Sequence, residues 1–366
     1  MDYDRPLFFH VMSYAEAADR DVVDMVSGNP DWAPPEALPA GLAAYADGDP
    51  DSFQYPPSEG LATLREEIAA RRGVDVDRVI VTNGAGEANY LAMACALAAC
   101  DGGEVLLPDP TYPYYTGRAR MLGADVSWVP VGPEGDLDPA DARAAASEDA
   151  AVVVANSPNN PTGAVYDEAT MRGLADLAAD RDALLLSDEV YDHFDYSGRF
   201  ESALALDASN VAVTASFSKS MAITGLRVGY GVFPESMVGP ARTRHMLVNV
   251  AGSRPAQQAV LTALERTDRS YYERSRERLR ERVETFTGAL DAAGAEYTVP
   301  DGAFYVLARF PGFEGSLENA RRLIDEAGVA GMPGETFGET IEDWFRFALV
   351  TPRVETAAER LVERFG

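Results

Sequence analysis

The sequence predicts an α/β protein with a mainly parallel sheet between helices, and a smaller α+β unit beside it. Three observations carry that expectation. Short strand-like apolar runs alternate with helical segments through most of the chain. Most of these runs are continuously apolar instead of alternating, as strands covered on both faces are. Several run straight into turns rich in Gly, Pro, Asn and Ser, at the strand ends where open α/β sheets collect ligands.

Taken in order, the stretch to about Tyr45 reads as irregular chain that helps close a site. Strands are expected at Val79-Ile80-Val81, Val105-Leu106-Leu107, Val152-Val153-Val154, Leu184-Leu185-Leu186, Val211-Ala212-Val213 and Val228-Gly229-Tyr230. Pro255 is placed to open a long helix, and Leu279, Val283, Phe286 and Leu290 recur at helical spacing to form its apolar stripe. The C-terminal unit should hold a strand near Phe304-Tyr305-Val306-Leu307, a helix from Leu317 to Ala327, a strand from Arg346 to Val350 and a final helix. Residues 46–284 then form the large domain, with 1–45 and 285–366 in the small one.

Composition narrows the function. The 366 residues carry 31 basic against 59 acidic side chains, a net charge of −28. That charge repels nucleic acid and anionic membrane. Spread along the whole chain, it suggests an acidic, halophile-like surface. No apolar run is long enough for a membrane span, and Met1-Asp2-Tyr3-Asp4 lacks the pattern of a secretory signal, so a cytoplasmic protein is expected. Cys95 and Cys100 sit in one apolar stretch and read as buried thiols, not as a disulfide or a metal site.

All the basic residues but Lys219 are arginine. A guanidinium stays protonated and cannot form an imine with an aldehyde, whereas a primary amine with a lowered pKa can. Lys219 lies in Ser216-Phe217-Ser218-Lys219, followed by Gly225-Leu226-Arg227-Val228-Gly229-Tyr230. A phosphate near Ser216, Ser218 and Arg227 would leave Lys219 to reach an aldehyde of the same molecule.

Other strand ends add to this. Asp188, in Ser187-Asp188-Glu189-Val190-Tyr191, reads on its own as a turn or cap residue. Asn156-Ser157-Pro158-Asn159-Asn160-Pro161-Thr162-Gly163 fixes its backbone through prolines and aims an amide inward. Thr82-Asn83-Gly84-Ala85-Gly86-Glu87 offers a helix N-terminus to a phosphate, or is an ordinary tight turn. Tyr112 is a ring-stacking or a core aromatic. Arg346, in the apolar run Trp344-Phe345-Arg346-Phe347-Ala348, needs a carboxylate partner, from a ligand or from a structural ion pair.

With these motifs in this order the chain resembles the class I/II aminotransferases of PLP fold type I, the aspartate aminotransferase-like group, from Gly28 to Arg346. The resemblance implies a seven-stranded sheet and pyridoxal 5'-phosphate held on Lys219 as a Schiff base. Asp188 would then face the pyridine nitrogen, and Tyr191 and Asn160 the phenolic oxygen. Tyr112 would stack on the ring, with Gly84, Ala85, Gly86, Ser216, Ser218 and Arg227 around the phosphate. Arg346, Gly28 and Asn160 would bind the substrate carboxylate. Tyr55 would reach the phosphate of a neighbouring subunit, which implies a homodimer with shared active sites. The implied reaction moves an amino group from an L-amino acid to a 2-oxo acid by a ping-pong route, with Lys219 as proton carrier.

A C–S lyase or decarboxylase would use the same residues. A cofactor-binding regulatory module lacks a DNA-binding segment, and a nicotinamide dehydrogenase lacks G-x-G-x-x-G after its first strand. Aspartate-specific relatives add a second cation, in some a lysine where this chain has Gly86, in others an arginine near the place of Val248-Asn249. Arg254 is a nearby substitute, while Trp32, Tyr112 and Phe337 suit an aromatic or apolar substrate.

Overall fold

The computed structural model describes residues 6–100 and 102–366. The opening Met1-Asp2-Tyr3-Asp4 lies outside them.

Its centre is a seven-stranded sheet. Across the sheet the order is Val79–Thr82, Gly229–Val232, Val211–Ser216, Leu184–Asp188, Ala150–Asn156, Glu104–Asp109 and Asp125–Pro130. Gly229–Val232 runs antiparallel to both neighbours, and every other pairing is parallel. The continuously apolar runs are explained by the two faces. Val153, Ala155, Leu185 and Val213 enter one core, while Val152, Val154, Leu186 and Ala212 enter the other. Alternate residues of one strand thus serve opposite layers, so no position is left for a polar side chain until the strand ends.

The expected strands all form. Asp125–Pro130 is an additional one at the sheet edge, where most of its residues keep some exposure. Its mixed composition gave no continuous apolar signal.

A second, antiparallel sheet has the order Met332–Pro333, Phe345–Ala348, Tyr305–Arg309, Glu296–Tyr297. The helices Leu317–Ala327 and Val354–Phe365 pack with it around Phe310, Phe345, Phe347 and Leu361. The short strand Val23–Asp24 pairs in parallel with Val329–Ala330, tying the N-terminal segment to this body.

Four sequence expectations need correction. The N-terminal stretch is not irregular. Leu7–Ala17 is a helix that buries Val11 and packs on Leu317–Ala327, and Ala37–Ala46 is a second helix. That second helix packs on Arg254–Arg266 and contributes Leu38 to the large core, although the expected boundary put it with the small unit. Pro255 opens a helix as expected, but that helix ends at Arg266 and a separate one, Arg269–Ala292, carries the buried stripe Leu279, Val283, Phe286 and Leu290. Of the two thiols, Cys95 is buried and Cys100 half-buried, because Cys100 caps the helix Ala85–Ala99 at the surface.

One buried ion cluster braces the sheet next to the strand end that carries Asp188. Arg72, the last residue of the helix Ala62–Arg72, donates to Tyr230 Oη at 2.7 Å, Glu189 Oε2 at 3.1 Å and Asp192 Oδ2 at 2.6 Å. Glu189 is wholly buried, and burial pushes its carboxyl up to about 7 even beside Arg72. Removing one partner of such a pair strands the other. Arg72→Met should therefore lower unfolding stability by about 3–5 kcal/mol in urea titration. A loss below about 1 kcal/mol, the range of an exposed pair, would show that water serves Glu189 instead.

Candidate active site

The carboxyl ends of the parallel strands open into a cleft of about 500 Å³. It is lined from the large body by Gly86, Asn89, Tyr112, Arg118, Asn160, Asp188, Lys219 and Arg227, and from the smaller by Tyr305 and Arg346. The N-terminal segment adds Phe8, Met12, Ser27, Gly28 and Asn29, so it does help enclose the site.

At the floor, Asp188 ends the strand Leu184–Asp188 and is buried. Its Oδ2 accepts from Asn89 Nδ2 and from Tyr115 Oη, both at 2.6 Å, while Oδ1 accepts from the Val190 amide at 3.1 Å. Asn89 is itself fixed by Thr214 Oγ1 at 2.5 Å. Burial raises the Asp188 carboxyl, and the hydrogen bonds from Tyr115 and Asn89 pull it back. These hydrogen-bond partners are all neutral, and the Arg118 guanidinium adds a smaller pull in the same direction as theirs.

Lys219 follows the strand Val211–Ser216 on a single helical turn, Phe217–Ser220. Its Nζ donates to the Gly28 carbonyl and lies 5.9 Å from the centre of the Phe304 ring. Burial, then repulsion from Arg346 and Arg227, lowers its amine to about 8. Gly28 must be glycine here, since a Cβ would stand 2.6 Å from Tyr305 Oη.

One end of the cleft is an anion cradle. The helix Ala85–Ala99 starts after Gly84, whose φ of 83° favours glycine, and its free amides face the cleft at Ala85 and Gly86. Arg227 closes over this turn, donating to Asn83 O at 3.1 Å and Thr224 O at 2.9 Å, and a Cβ on Gly84 would meet its Nη2 at 2.5 Å. Ser216 and Ser218 complete the wall, with their hydroxyls 2.8 Å apart. A side chain at Gly229, between the strand ends, would clash with Gly84 and Ala85 at 2.6–2.7 Å.

At the other end, Arg346 is buried in the strand Phe345–Ala348. Nη1 donates to Asn160 Oδ1 at 3.0 Å and Nη2 to the Val26 carbonyl at 2.5 Å. The guanidinium is sandwiched by Tyr305 (4.4 Å) and Phe337 (4.9 Å), and Nε has no partner among the described residues. Burial lowers its pKa. The structural ion pair considered from the sequence is absent among the described residues: both partners are neutral oxygens.

These groups fit pyridoxal phosphate: an anion cradle, an amine of lowered pKa, a buried carboxylate for a ring nitrogen and an aromatic wall.

Comparison with known proteins agrees. A family model described as aminotransferase class I and II matches residues 20–365. The aspartate/prephenate aminotransferase of Thermus thermophilus is 32% identical over 94% of this chain and 91% of its own. The aspartate aminotransferase of Pyrococcus horikoshii is also 32% identical, over 94% and 88%. The structure of the Thermus thermophilus aspartate aminotransferase with maleate superposes with a TM-score of 0.91 at 30% identity, covering 99% of this chain and 96% of that one. The chain belongs to the class I and II aminotransferases. It is a pyridoxal-phosphate-dependent transaminase with that family's α/β fold.

Within this aminotransferase the structure gathers most of the residues singled out from sequence. Gly28, Ala85, Gly86, Tyr112, Asn160, Asp188, Tyr191, Ser216, Ser218, Lys219, Arg227 and Arg346 all line one cleft. Tyr191 Oη lies 2.8 Å from Tyr305 Oη, a partner the sequence did not suggest. Tyr55 is 82% exposed and does not line the cleft of its own chain. Arg254 is also outside it, donating to the Asp51 and Gln54 carbonyls. Trp32 packs behind the cleft on Phe194, and Phe337 lies against Arg346 without lining the cavity. Asn89, Tyr115, Arg118 and Tyr305 were missed. The first three sit on helical turns next to recognised motifs, and only the fold shows that their side chains turn inward.

A lysine amine lowered to about 8 reacts with aldehydes as its free base, and that fraction grows as pH rises through 8. Capture of added pyridoxal phosphate by cofactor-free protein should therefore accelerate about tenfold per unit below pH 7.5 and level off above 8.5. Stopped-flow absorbance would check this; acceleration continuing to pH 10 would mean an unperturbed lysine.

Proposed function

We propose that the cleft transfers an amino group from an L-amino acid to a 2-oxo acid in two half-reactions, the ping-pong order. The observation that carries this reading is the buried Arg346 guanidinium, with neutral partners and a free Nε, across the cleft from Lys219.

Pyridoxal phosphate, when bound, supplies the carbonyl that receives the amino group and a ring that accepts electrons from the substrate α-carbon. The residues do the rest. Gly84, Ala85 and Gly86 present amide N–H groups to the phosphate, with Ser216, Ser218 and Arg227 around it. Asp188, oriented by Asn89 and Tyr115, holds a proton on the ring nitrogen. Tyr112 would stack on the ring, and Asn160 and Tyr191 would stand at its phenolic oxygen. Arg346 grips the α-carboxylate, with Asn160 and the Gly28 backbone beside it, and fixes which α-bond faces Lys219. Nζ of Lys219, as free amine, would remove the substrate α-proton and deliver it to the cofactor carbon that had carried the aldehyde.

The homodimer belongs to this proposal. Phe53 and Tyr55 in one stretch, and Met246, Leu247 and Val248 at the end of the helix Glu235–Asn249 with Val250 just after it, are all exposed. Arg254 joins the two stretches. Covering this patch with a second copy would remove it from water and bring Tyr55 toward the other subunit's phosphate. A cytoplasmic setting and a salt-adapted acidic surface fit the net charge of −28 and the arginine-based surface ion pairs.

In single-turnover absorbance with one amino acid and no 2-oxo acid, the visible band should convert to a near-ultraviolet one, and Lys219→Ala should show no conversion. Release of pyruvate or an amine instead would assign a lyase or decarboxylase. Arg346→Gln should lower kcat/KM by roughly 10²–10³-fold, the cost of an unmatched buried carboxylate. An effect below about threefold would place the carboxylate elsewhere.

A further inference from the structure

We propose that Tyr305 is a positioning residue that couples carboxylate capture to the cofactor: its ring carries the Arg346 guanidinium while its hydroxyl donates to Tyr191. The inference rests on the amino-group-transfer reading above, in which Arg346 grips the carboxylate and Tyr191 stands at the phenolic oxygen.

Local structure brings the three side chains together. Where Tyr305–Arg309 pairs with Phe345–Ala348, Tyr305 lies opposite Ala348 and Leu307 opposite Arg346. Tyr305 and Arg346 are thus diagonal neighbours on one face of the sheet, within reach of each other for long side chains. The guanidinium lies 4.4 Å from the Tyr305 ring centre, with Phe337 on its other side. Tyr191 comes from the opposite body, three residues beyond Asp188, and its Oη meets Tyr305 Oη at 2.8 Å. Both phenols are buried, and both residues line the cleft. Gly28 gives the hydroxyl its room, since a Cβ there would stand 2.6 Å from Tyr305 Oη and 3.5 Å from Lys219 Nζ.

Counting protons gives the direction of the coupling. The two hydroxyls carry two protons, and one fills the bond between them. Neither oxygen has another acceptor among the described residues, so the second proton is left for a ligand. Of the other titratable groups here, Lys219 is tied to the Gly28 carbonyl and Tyr112 bonds to neither hydroxyl. A cation over a phenol stabilises charge developing on its oxygen and makes that hydroxyl the better donor. Arg346 lies over the Tyr305 ring, and no cation lies over the Tyr191 ring among the described residues. Tyr305 therefore donates to Tyr191, and the Tyr191 proton is left for the cofactor oxygen. Each bond in such a chain strengthens the next. Burial raises both phenols, Tyr191 the more, in keeping with that order. A carboxylate on Arg346 offsets the charge over Tyr305, weakens both donations and leaves the cofactor oxygen more basic. Asn160 offers a parallel route, because Arg346 also donates to its Oδ1. Loss of the Tyr305 hydroxyl should shrink the response to a carboxylate without abolishing it.

The test reads the midpoint pH of the visible band of cofactor-loaded protein, with and without saturating butyrate, and butyrate affinity by calorimetry. In wild type, butyrate should raise the midpoint. Tyr305→Phe keeps the ring, so butyrate affinity should change less than about threefold, while the unliganded midpoint rises by about half a pH unit and the butyrate-induced rise falls by about half. Added to Tyr191→Phe, the same substitution should shift the midpoint no further. Tyr305→3-fluorotyrosine, a stronger donor of nearly the same shape, should lower the midpoint, a sign that mere repacking would not give. An unchanged midpoint in Tyr305→Phe, or full additivity with Tyr191→Phe, would overturn the proposal. If the band shifts as described but no amino acid is transaminated, the reaction assignment fails and the coupling stands.

Discussion

The site depends on holding charges of both signs out of water without pairing them directly to one another. Asp188 is satisfied by Asn89, Tyr115 and a backbone amide, Arg346 by Asn160 and a carbonyl, and Lys219 by the Gly28 carbonyl. Burial moves each group toward its neutral form: the carboxyl up, the amine and the guanidinium down. Hydrogen bonds to neutral groups fix direction but only partly offset desolvation. What remains is free energy that a ligand of matching charge can recover: in the proposed function, a ring nitrogen at Asp188 and a carboxylate at Arg346. An internal ion pair between Asp188 and Lys219 would be comfortable and would leave neither group available.

Such uncompensated groups need a rigid frame, and the layers behind the cleft provide it. Asn89 is locked by Thr214 from the adjacent strand, so the orientation of Asp188 is set two residues deep. Behind the Gly84 turn, Glu87 accepts from the Asn83 amide at 2.7 Å, from His245 Nδ1 at 2.6 Å and from Asn249. That carboxylate pins the helix start from below, leaving the amides above it free for an anion. On the far side, the antiparallel strand Gly229–Val232 carries no side chain at Gly229, which lets the Gly84 turn settle on the sheet. The unusual strand direction and the glycine thus serve the same end.

The fold was legible because covering both sheet faces forces continuous apolar runs, and the site because its motifs stand at the ends of those runs. The sole lysine gave the most direct reading: in a chain that otherwise uses arginine, its amine had to be explained by chemistry. What stayed hidden depends on distance through space. Tyr115 and Arg118 look like ordinary helix residues, and only the docking of the helix Tyr114–Met121 turns them toward Asp188 and Gly86. The N-terminal helices were missed for a related reason. Each is covered by a remote partner, Leu317–Ala327 or Arg254–Arg266, and neither has a strong apolar stripe of its own. Tyr55 was legible as a residue, but a single chain leaves it facing solvent.

The charge distribution sets one further condition on how substrates arrive. The molecule as a whole is strongly anionic, yet the cleft is lined by Arg118, Lys219, Arg227 and Arg346 against the single carboxylate of Asp188. An anionic ligand such as a 2-oxo acid is therefore repelled at a distance and attracted at contact. Mobile salt separates the two effects, because the Debye length is about 8 Å at physiological ionic strength and about 3 Å at 1 M. Screening over that range removes the outer repulsion first, while a pair inside the cleft, shielded by protein on most sides, is weakened far less. An acidic shell around a basic cleft is thus compatible with anionic substrates, and it becomes less of a barrier as salt rises. Global charge and local charge have opposite signs here because they answer to different distances.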